Sequence, residues 1–298
     1  MRSKLFVPGT RIELFAKALK GQADAISFDL EDSVVENRKA EARDNVARFL
    51  CSPEVGASDK MIIVRVNNGA TAHFEPDILA ITLPALDMVN LPKVESADDI
   101  YTAVEILEKA EKANGITKAV RILANIETPK GLLSAMEIAG AHPRVAGLQL
   151  GLNDLFESLS IDRQDAKNVH ATMLAMRMAA GSAKVFAYDG AFADFKDERG
   201  FRSEAEMAHR LGYLGKSCIH PCQVAVANEV FVYSDDDIAF ALRVLEEYQI
   251  AAADGVGAFT IDGKMIDLPV IRRAEAVVAA SHRPQEQKQP NTIVSDES

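Results

Sequence analysis

The sequence contains only three cysteines, which are odd in number and show no finger-like pairing. Cys218 and Cys222 flank His220, but a second pair of ligands is missing, so zinc is a poor interpretation. The simpler interpretation is that the cysteines are free thiols, kept reduced in the cytosol. Blocks of basic residues are absent as well, and the formal net charge is -11, which argues against nucleic acid as a partner.

Long apolar runs are also missing, since none reaches the roughly 20 residues that a membrane-spanning helix needs. The opening segment, MRSKLFVPG, lacks the long apolar core and the small-residue cleavage site of a secretory signal. We therefore expect a cytoplasmic protein with no membrane partner. What the chain does have is 298 residues with 48% hydrophobic content, enough for one large domain or two small ones.

Eight short apolar runs recur along the chain, each followed by a polar or helix-like segment. In order they are KLFVPG, DAISFDLED, MIIVRVN, DMVNLPK, RILANIE, VAGLQLG, AKVFAYD and GKSCIHP. Helical patterns lie between them, and the last of these, SEAEMAHRLGYLG, has Ser203 and Glu206 at the spacing of a capping box. Eight alternating βα units predict a (β/α)8 TIM barrel. A doubly wound sheet is the alternative, because periodicity alone does not show closure.

The pattern changes after about residue 230. DDDIAFALRVLEEYQIAAADG predicts a long helix, GAFTIDGKMIDLP predicts two short strands around an Asp-Gly turn, and a final helix begins at Pro269. We therefore predict a barrel over 1–230 and a C-terminal helical extension with a short hairpin over 231–282. The Pro- and Gln-rich segment 283–298 is predicted to be a disordered tail.

Polar residues follow most of the predicted strands. In a parallel barrel the carboxyl ends of the strands open on one face, where catalytic groups gather. The residues at these positions are Asp29, Glu31, Asp32, Arg65, Asn67, Lys93, Glu95, Glu127, Asn153, Asp154, Asp189, His220 and Gln223. A ring of carboxylates with so few cations predicts a bound metal ion or an anionic ligand at its centre.

Glu127 and Asp154 lie at the ends of adjacent strands in this barrel. Two oxygen donors, completed by water and substrate oxygens, suit Mg2+. The alternative is that Glu127 pairs with Arg65 or Lys93 in a structural ion-pair network. From the residues alone the two interpretations have about equal weight.

Arg65 also has two interpretations. Its planar guanidinium is suited to holding a carboxylate or a developing oxyanion at the barrel mouth. Alternatively, it pairs with the acids of the DLED segment, Asp29, Glu31 and Asp32. Those acids are in turn candidates either for metal ligands or for residues that orient water around a metal.

Seven short motifs occur in the same order as in a known family. RSKLFVPGT, DLEDSV, RVN, LPKVES, IET, GLNDL and GKSCIHPCQ resemble the citrate lyase β-subunit family, in the HpcH/HpaI aldolase group that includes malyl-CoA and citramalyl-CoA lyases. The resemblance extends from Arg2 to about Ala280. It implies a (β/α)8 barrel with a C-terminal extension, Mg2+ dependence, a CoA-thioester substrate and a homotrimer or hexamer.

The resemblance also implies roles for single residues. Glu127 and Asp154 match the family's Mg2+ ligands, and Arg65 matches its substrate-binding arginine. DGKMIDLPV resembles a C-terminal motif whose final acid, Asp267, acts as an acid/base in the site of a neighbouring subunit.

Further residues match positions near the substrate. Glu31 and Asp32 resemble a second acidic pair near the metal's waters, and Arg11 and Lys17 lie where relatives meet the CoA phosphates. Asn153 replaces the Glu or Ala of many relatives, which puts the metal's hydration and the identity of the substrate in question. We include all five among the substrate-binding candidates.

The implied activity is that of a Mg2+-dependent carbon–carbon lyase. It would cleave a 3-hydroxyacyl-CoA thioester of the citramalyl-, malyl- or citryl-CoA type to acetyl-CoA and a 2-oxo acid, or run the reverse condensation. These acyl groups differ by so little that selectivity among them is worth only about 1–3 kcal/mol per methylene, so all remain candidates. The alternatives are a malyl-CoA-type thioesterase, a class II aldolase acting on free hydroxy acids, and a non-catalytic subunit that binds CoA esters.

Overall fold

The computed structural model describes residues 1–253 and 256–281. The tail predicted over 283–298 lies outside these residues. The chain divides into two compact units between Phe231 and Val232. The first unit contains a parallel sheet with helices around it, and the second contains two helices and a hairpin.

Eight parallel strands form the sheet of the first unit. In sheet order, β7 to β1 follow one another, and β8 pairs with the free side of β1. A parallel bridge between Asp189 and Lys216 joins the end of β7 to β8, so the sheet is nearly closed as a barrel. The prediction of a (β/α)8 TIM barrel is therefore confirmed, and an open doubly wound sheet is excluded. The strands are β1 (Ser3–Pro8), β2 (Ala25–Asp29), β3 (Met61–Arg65), β4 (Met88–Leu91), β5 (Arg121–Ile126), β6 (Val145–Leu150), β7 (Phe186–Tyr188) and β8 (Lys216–Cys218).

Helices connect and surround these strands. They are α1 (Ile12–Leu19), α2 (Lys39–Leu50), α3 (Pro53–Gly56), α4 (Phe74–Ile81), α5 (Ala97–Ala113), α6 (Pro129–Leu133), α7 (Ala135–Gly140), α8 (Leu152–Leu159), α9 (Ala166–Ser182), α10 (Glu198–Arg210) and α11 (Pro221–Val230). A short 3₁₀ helix covers Glu36–Arg38.

The starts of two helices show how local sequence sets the boundaries. Thr128 accepts a hydrogen bond from the Gly131 N–H and Pro129 is the first residue of α6, so this helix begins directly after Glu127. The capping box predicted at Ser203 is wrong. The α10 helix begins earlier, because the Asp197 side chain accepts a hydrogen bond from the Gly200 N–H.

The barrel interior changes from apolar to polar along the strands. A buried cluster fills its amino-terminal part, formed by Met1, Ala25, Ile63, Met88, Leu123, Ala146 and Tyr188. Side chains two residues apart on a strand point to the same face. The interior positions that follow Ala25, Met88 and Leu123 are therefore Ser27, Asn90 and Asn125, all of them buried. Towards the carboxyl ends of the strands, the apolar layer of the interior is therefore followed by a polar layer.

The second unit has a small core of its own. Its elements are α12 (Asp235–Ala253), the antiparallel pair β9 (Phe259–Ile261) and β10 (Lys264–Ile266), and α13 (Leu268–Ser281). Asp262 and Gly263 form the hairpin turn with φ values of 52° and 74°, as a two-residue turn of this hand requires. The C-terminal helical extension and its hairpin are present as predicted. Within the described residues, none of the helices combines the length and the apolar character needed to span a membrane.

Candidate active site

A cavity of about 390 Å³ opens at the carboxyl ends of the barrel strands. This is the face on which barrel enzymes carry their active sites. Several predicted site residues line it, namely Asp32, Arg65, Glu127, Asn153 and Asp154. The other lining residues are Phe6, Pro8, Asp29, Ser33, Asn125, Gln149, Leu150, Gly151, Leu152, Ala191 and Ile219.

Glu127 and Asp154 reach this cavity from neighbouring strand ends. Glu127 follows β5 and is only 4% exposed, and half-buried Asp154 lies in the first turn of α8. The Lys93 backbone N–H donates to Glu127 Oε1 at 2.8 Å, from a residue held at a φ of 50°. Gly151 leaves the space that the carboxylate occupies, because a Cβ there would lie 2.5 Å from Glu127 Oε2. The local backbone is thus shaped around this carboxylate.

The electrostatics around Glu127 favour an additional positive charge. Burial raises the pKa of Glu127 to about 7, against the opposing effect of Arg65, and the nearby Asp154 adds to the rise. Within residues 1–253 and 256–281, no cationic side chain lies within 4 Å of the Glu127 carboxylate to form an ion pair. The structural ion-pair network considered from the sequence therefore leaves Glu127 out.

The donor set fits Mg2+ better than a transition metal. Mg2+ is usually held by one or two carboxylates, with water and substrate oxygens filling the other positions. Glu127 and Asp154 supply such a pair, on the same cavity wall. Among the residues that the structure describes, no group of three or more His, Cys, Asp or Glu side chains could hold a metal ion by itself. A bound Mg2+ would therefore depend on solvent or substrate to complete its shell.

Arg65 is clamped by the acids of the DLED segment. Its Nε and Nη2 donate to the two oxygens of Asp29 at 2.7 and 2.8 Å. Its Nη1 lies 2.9 Å from Glu31 Oε2 and 3.0 Å from Asp32 Oδ2. The structure thus shows the pairing interpretation, while Arg65 still lines the cavity. A role in substrate binding stays a prediction.

The acids around Arg65 differ sharply in their proton affinity. Burial would raise the pKa of Asp29, but the charge and hydrogen bonds of Arg65 outweigh it and lower this pKa to about 2. Burial raises the pKa of Glu31 to about 7, against the attraction of Arg65 and with a contribution from Asp32. Lys93 Nζ lies 3.4 Å from Glu31. Glu31 and Glu127 are therefore two carboxyl groups at the barrel mouth whose negative charge is not fully balanced by nearby positive charge.

The acid Asp29 makes stability depend on pH. A carboxylate whose pKa is lowered in the folded state stabilises the fold above its unfolded pKa of about 4, and this stabilisation is lost as the pH falls towards 2. Asp29→Asn is expected to lower the free energy of unfolding at pH 7 by about 2 kcal/mol. Urea unfolding from pH 7 to pH 2.5 should show the difference narrowing below pH 4. The exposed Asp59→Asn variant is the control, and a difference that stays constant with pH would contradict this account.

Asn153 is exposed, but it connects to a chain of polar contacts that becomes buried towards Lys216. The Arg163 Nε donates to Asn153 Oδ1 at 3.1 Å, and its Nη1 lies 2.7 Å from Glu204 Oε2. Lys216 Nζ joins Glu204 to Asp189 at 2.7 and 2.6 Å, and its side chain is fully buried. Asp189, which the sequence places at the end of a strand, therefore serves this network between β7 and β8.

The remaining predicted residues lie outside the cavity wall or in the second unit. Arg11 and Lys17 are exposed, and Arg11 forms an ion pair with Glu13. Asp267 accepts a hydrogen bond of 3.5 Å from the Val270 N–H at the start of α13. His220 is the N-cap of α11.

Two pocket residues, Asn125 and Gln149, were missed in the sequence. They are partners across β5 and β6, and both line the cavity. The signal was a polar letter inside each apolar run, in RILANIE and VAGLQLG. Asn125 is two residues before Glu127, on the strand face that points into the barrel.

The fold and the acidic pocket together define a (β/α)8-barrel enzyme with its site at the carboxyl ends of the strands. The chain belongs to the HpcH/HpaI aldolase/citrate lyase family, whose model matches residues 2–221. This confirms the resemblance carried by the seven motifs.

Individual relatives match most of the chain. The L-malyl-CoA/beta-methylmalyl-CoA lyase of Cereibacter sphaeroides is 34% identical over 298 aligned residues, which cover 93% of each chain. The (3S)-malyl-CoA thioesterase of the same species is 35% identical over 286 residues, covering 93% of this chain and 96% of the relative. The crystal structure of CitE from Mycobacterium tuberculosis in complex with magnesium, acetoacetate and coenzyme A is 31% identical. It superimposes with a TM-score of 0.72, covering 95% of this chain and all of that one.

Proposed function

We propose that this protein is a Mg2+-dependent carbon–carbon lyase that cleaves a 3-hydroxyacyl-CoA thioester to acetyl-CoA and a 2-oxo acid, and that also catalyses the reverse condensation. The observation that carries the proposal is the buried Glu127 carboxylate, which has no ion-pair partner among the described residues and shares a cavity wall with Asp154. The magnesium and CoA bound to the related CitE and the names of the related lyases support it. The acyl group is of the malyl-, citramalyl- or citryl-CoA type.

Glu127 and Asp154 are the proposed Mg2+ ligands. When bound, Mg2+ supplies Lewis-acid polarisation and a template for the substrate oxygens. Glu31 and Asp32 both lie against Arg65 Nη1, and Asp32 lines the cavity, so both would accept hydrogen bonds from the water around the site. Asn153, which is held by Arg163, is the proposed neighbour of the substrate on the α8 side.

Arg65 is the proposed donor to the oxygen on which charge develops. Its two bonds to Asp29 fix the plane of the guanidinium. Its Nη1 contacts both the buried Glu31 and Asp32, and because the Asp32 side chain is 52% exposed, we propose that Asp32 gives way to the substrate oxygen. A donor prepared in this way stabilises the substrate oxygen as its proton leaves, and loss of one such donor commonly costs about 10²–10³-fold in rate.

Asp267 of a neighbouring copy is the proposed acid. Cleavage of the carbon–carbon bond transfers the bonding electron pair to the α-carbon of the thioester, which then needs a proton. The hydroxyl gives one proton to solvent water and the α-carbon takes one from Asp267, so protons and electrons balance. This role requires assembly, and we propose a homotrimer or hexamer in the cytoplasm. In it, the barrel over 1–230 provides the pocket and the extension over 231–282 provides Asp267, while Arg11 and Lys17 contact the CoA phosphates.

A thioesterase is the second candidate function, because one related enzyme is a (3S)-malyl-CoA thioesterase. The products separate the two activities. A lyase releases acetyl-CoA and a 2-oxo acid, whereas a thioesterase releases free CoA and the hydroxy acid.

The test is to incubate the protein with Mg2+ and each of malyl-, citramalyl- and citryl-CoA, and to quantify acetyl-CoA, 2-oxo acid and free thiol separately. We expect acetyl-CoA and 2-oxo acid in equal amounts, with cleavage stopped by EDTA and restored by Mg2+. Free CoA as the main product would overturn the lyase in favour of the thioesterase. Turnover of free malate or citramalate would indicate a class II aldolase, and tight CoA-ester binding without any product would indicate a non-catalytic subunit.

A further inference from the structure

The floor of the cavity carries a carboxamide that has no assigned role. Gln149 on β6 is only 4% exposed, yet it lines the cavity. The apolar cluster that fills the amino-terminal part of the barrel adjoins it, since Tyr188 of that cluster is the strand partner of Gln149 on β7. The floor is thus closed from below, and only the small end of a substrate can reach it, since coenzyme A is far larger than a cavity of about 390 Å³.

The orientation of this carboxamide is set by Lys4. Lys4 on β1 is fully buried, and its Nζ donates to Gln149 Oε1. Ser217 Oγ lies 3.4 Å from the same oxygen. Because a carboxamide accepts at its oxygen and donates at its nitrogen, two donors at Oε1 turn Nε2 away from Lys4 and Ser217.

The donor end of Gln149 is free to meet a ligand. Among the residues that the structure describes, Gln149 Nε2 has no hydrogen-bond acceptor. This atom is not fully buried, so a ligand in the cavity can reach it. The neighbouring Asn125, its partner across β5 and β6, has a buried Oδ1 that also lacks a partner. Buried polar groups are almost always satisfied, so an unmet donor that faces a cavity indicates a missing acceptor.

We propose that Gln149, oriented by Lys4, forms a subsite on the cavity floor that binds an oxygen of the acid half of the substrate, a carboxylate or carbonyl oxygen of the 2-oxo acid. The inference rests on the proposed function, which supplies the class of substrate. Gln149 donates directly to that oxygen, and Lys4 is a positioning residue that acts through Gln149. The thioester half binds elsewhere and does not depend on this pair.

Lys4 can donate this hydrogen bond in either protonation state. Burial, reinforced by the Arg65 guanidinium, lowers the pKa of Lys4 well below its ordinary value. A neutral amine still donates hydrogen bonds. Its replacement by methionine removes the donor and keeps a side chain of similar length among the Phe6 and Tyr188 rings, so the variant is expected to fold.

The test compares Gln149→Leu, Lys4→Met and the double variant with the wild-type protein. In the condensation direction, Gln149→Leu should raise the KM for glyoxylate or pyruvate about 10-fold, since a hydrogen bond to a charged group is lost. The KM for acetyl-CoA should stay within about 2-fold. Lys4→Met should raise the 2-oxo acid KM about 3-fold or more, and it should add nothing in the Gln149→Leu background. Pyruvate binding to the Mg2+-loaded protein, measured by calorimetry, should weaken by the same factors.

The control is Asn90→Leu. Asn90 is a buried interior residue whose carboxamide also lacks partners, but it does not line the cavity. This variant should leave both KM values unchanged. If Gln149→Leu fails to fold, Gln149→Glu serves instead, because it keeps an acceptor for Lys4 and should repel the acid.

Unchanged pyruvate affinity in a folded Gln149→Leu or Gln149→Glu variant would overturn the subsite. An effect of Lys4→Met that persists in the Gln149→Leu background would overturn the positioning role. A wild-type protein that condenses nothing, but binds pyruvate in a Gln149-dependent manner, would end the proposed lyase function and support the subsite.

Discussion

Glu127→Ala and Asp154→Ala are each expected to abolish Mg2+-dependent cleavage, with a loss of at least about 10³-fold in kcat/KM. Each removes one of the two carboxylates proposed to hold the cation, and with it half of the negative charge that the protein offers to Mg2+. The fold should survive. Burial raises the pKa of Glu127 to about 7, so its removal relieves an unfavourable charge. Circular dichroism and thermal unfolding check this point.

Binding of Mn2+ in place of Mg2+, followed by electron paramagnetic resonance, gives a measurement that does not depend on turnover. Both variants should lose the bound signal at Mn2+ concentrations that saturate the wild-type protein. Glu157→Ala is a matched control, because Glu157 lies on the same helix as Asp154 and is exposed. Near wild-type activity or metal affinity in either Glu127→Ala or Asp154→Ala would show that the metal assignment is wrong.

The second large effect is expected at Asp267. Asp267→Asn should lower kcat by about 10²–10⁴-fold, the usual range for a lost general acid, while the KM for the CoA ester changes only a few-fold. The hairpin residue Asp262 offers a control in the same unit, since it is exposed and pairs with Arg243 at the surface. Asp262→Asn should retain full activity.

Mixing two inactive variants tests whether the site is shared between copies. Chains carrying Asp267→Asn keep both proposed Mg2+ ligands, Glu127 and Asp154. Chains carrying Glu127→Ala keep Asp267. Random reassembly of equal amounts into a head-to-tail trimer should restore about a quarter of the sites. A mixture that recovers no activity, although mass spectrometry shows mixed oligomers, would count against a shared site.

The barrel could be derived from the chain largely because its signals are local. Each strand is a short apolar run followed by polar letters, and Thr128 with Pro129 marks the start of a helix directly after Glu127. At Ser203 the local signal is misleading, because the capping-box spacing of Ser203 and Glu206 lies inside α10. Asp197 caps that helix earlier, and short cap motifs recur by chance inside amphipathic helices.

Candidate site residues were found where the topology alone makes them converge. Polar residues after parallel strands must meet at one end of a barrel, so Glu127, Asp154 and Arg65 could be grouped from the sequence. Their pairing could not. The sequence allowed two roles for Arg65. Only the pairing of β2 with β3 places Asp29 beside Arg65, where the two side chains form a bidentate ion pair.

By itself, the sequence determined the βα alternation, the resemblance to the family, and which acids stand at the strand ends, and it left the closure of the sheet open. These follow from period, spacing and motif order, which are properties of neighbouring residues. Only the tertiary structure decided that Glu127 has no ion-pair partner among the described residues, and that Lys4 turns Gln149 towards the cavity. Such contacts join residues up to 145 positions apart, and the direction of a side chain inside a barrel depends on every strand around it.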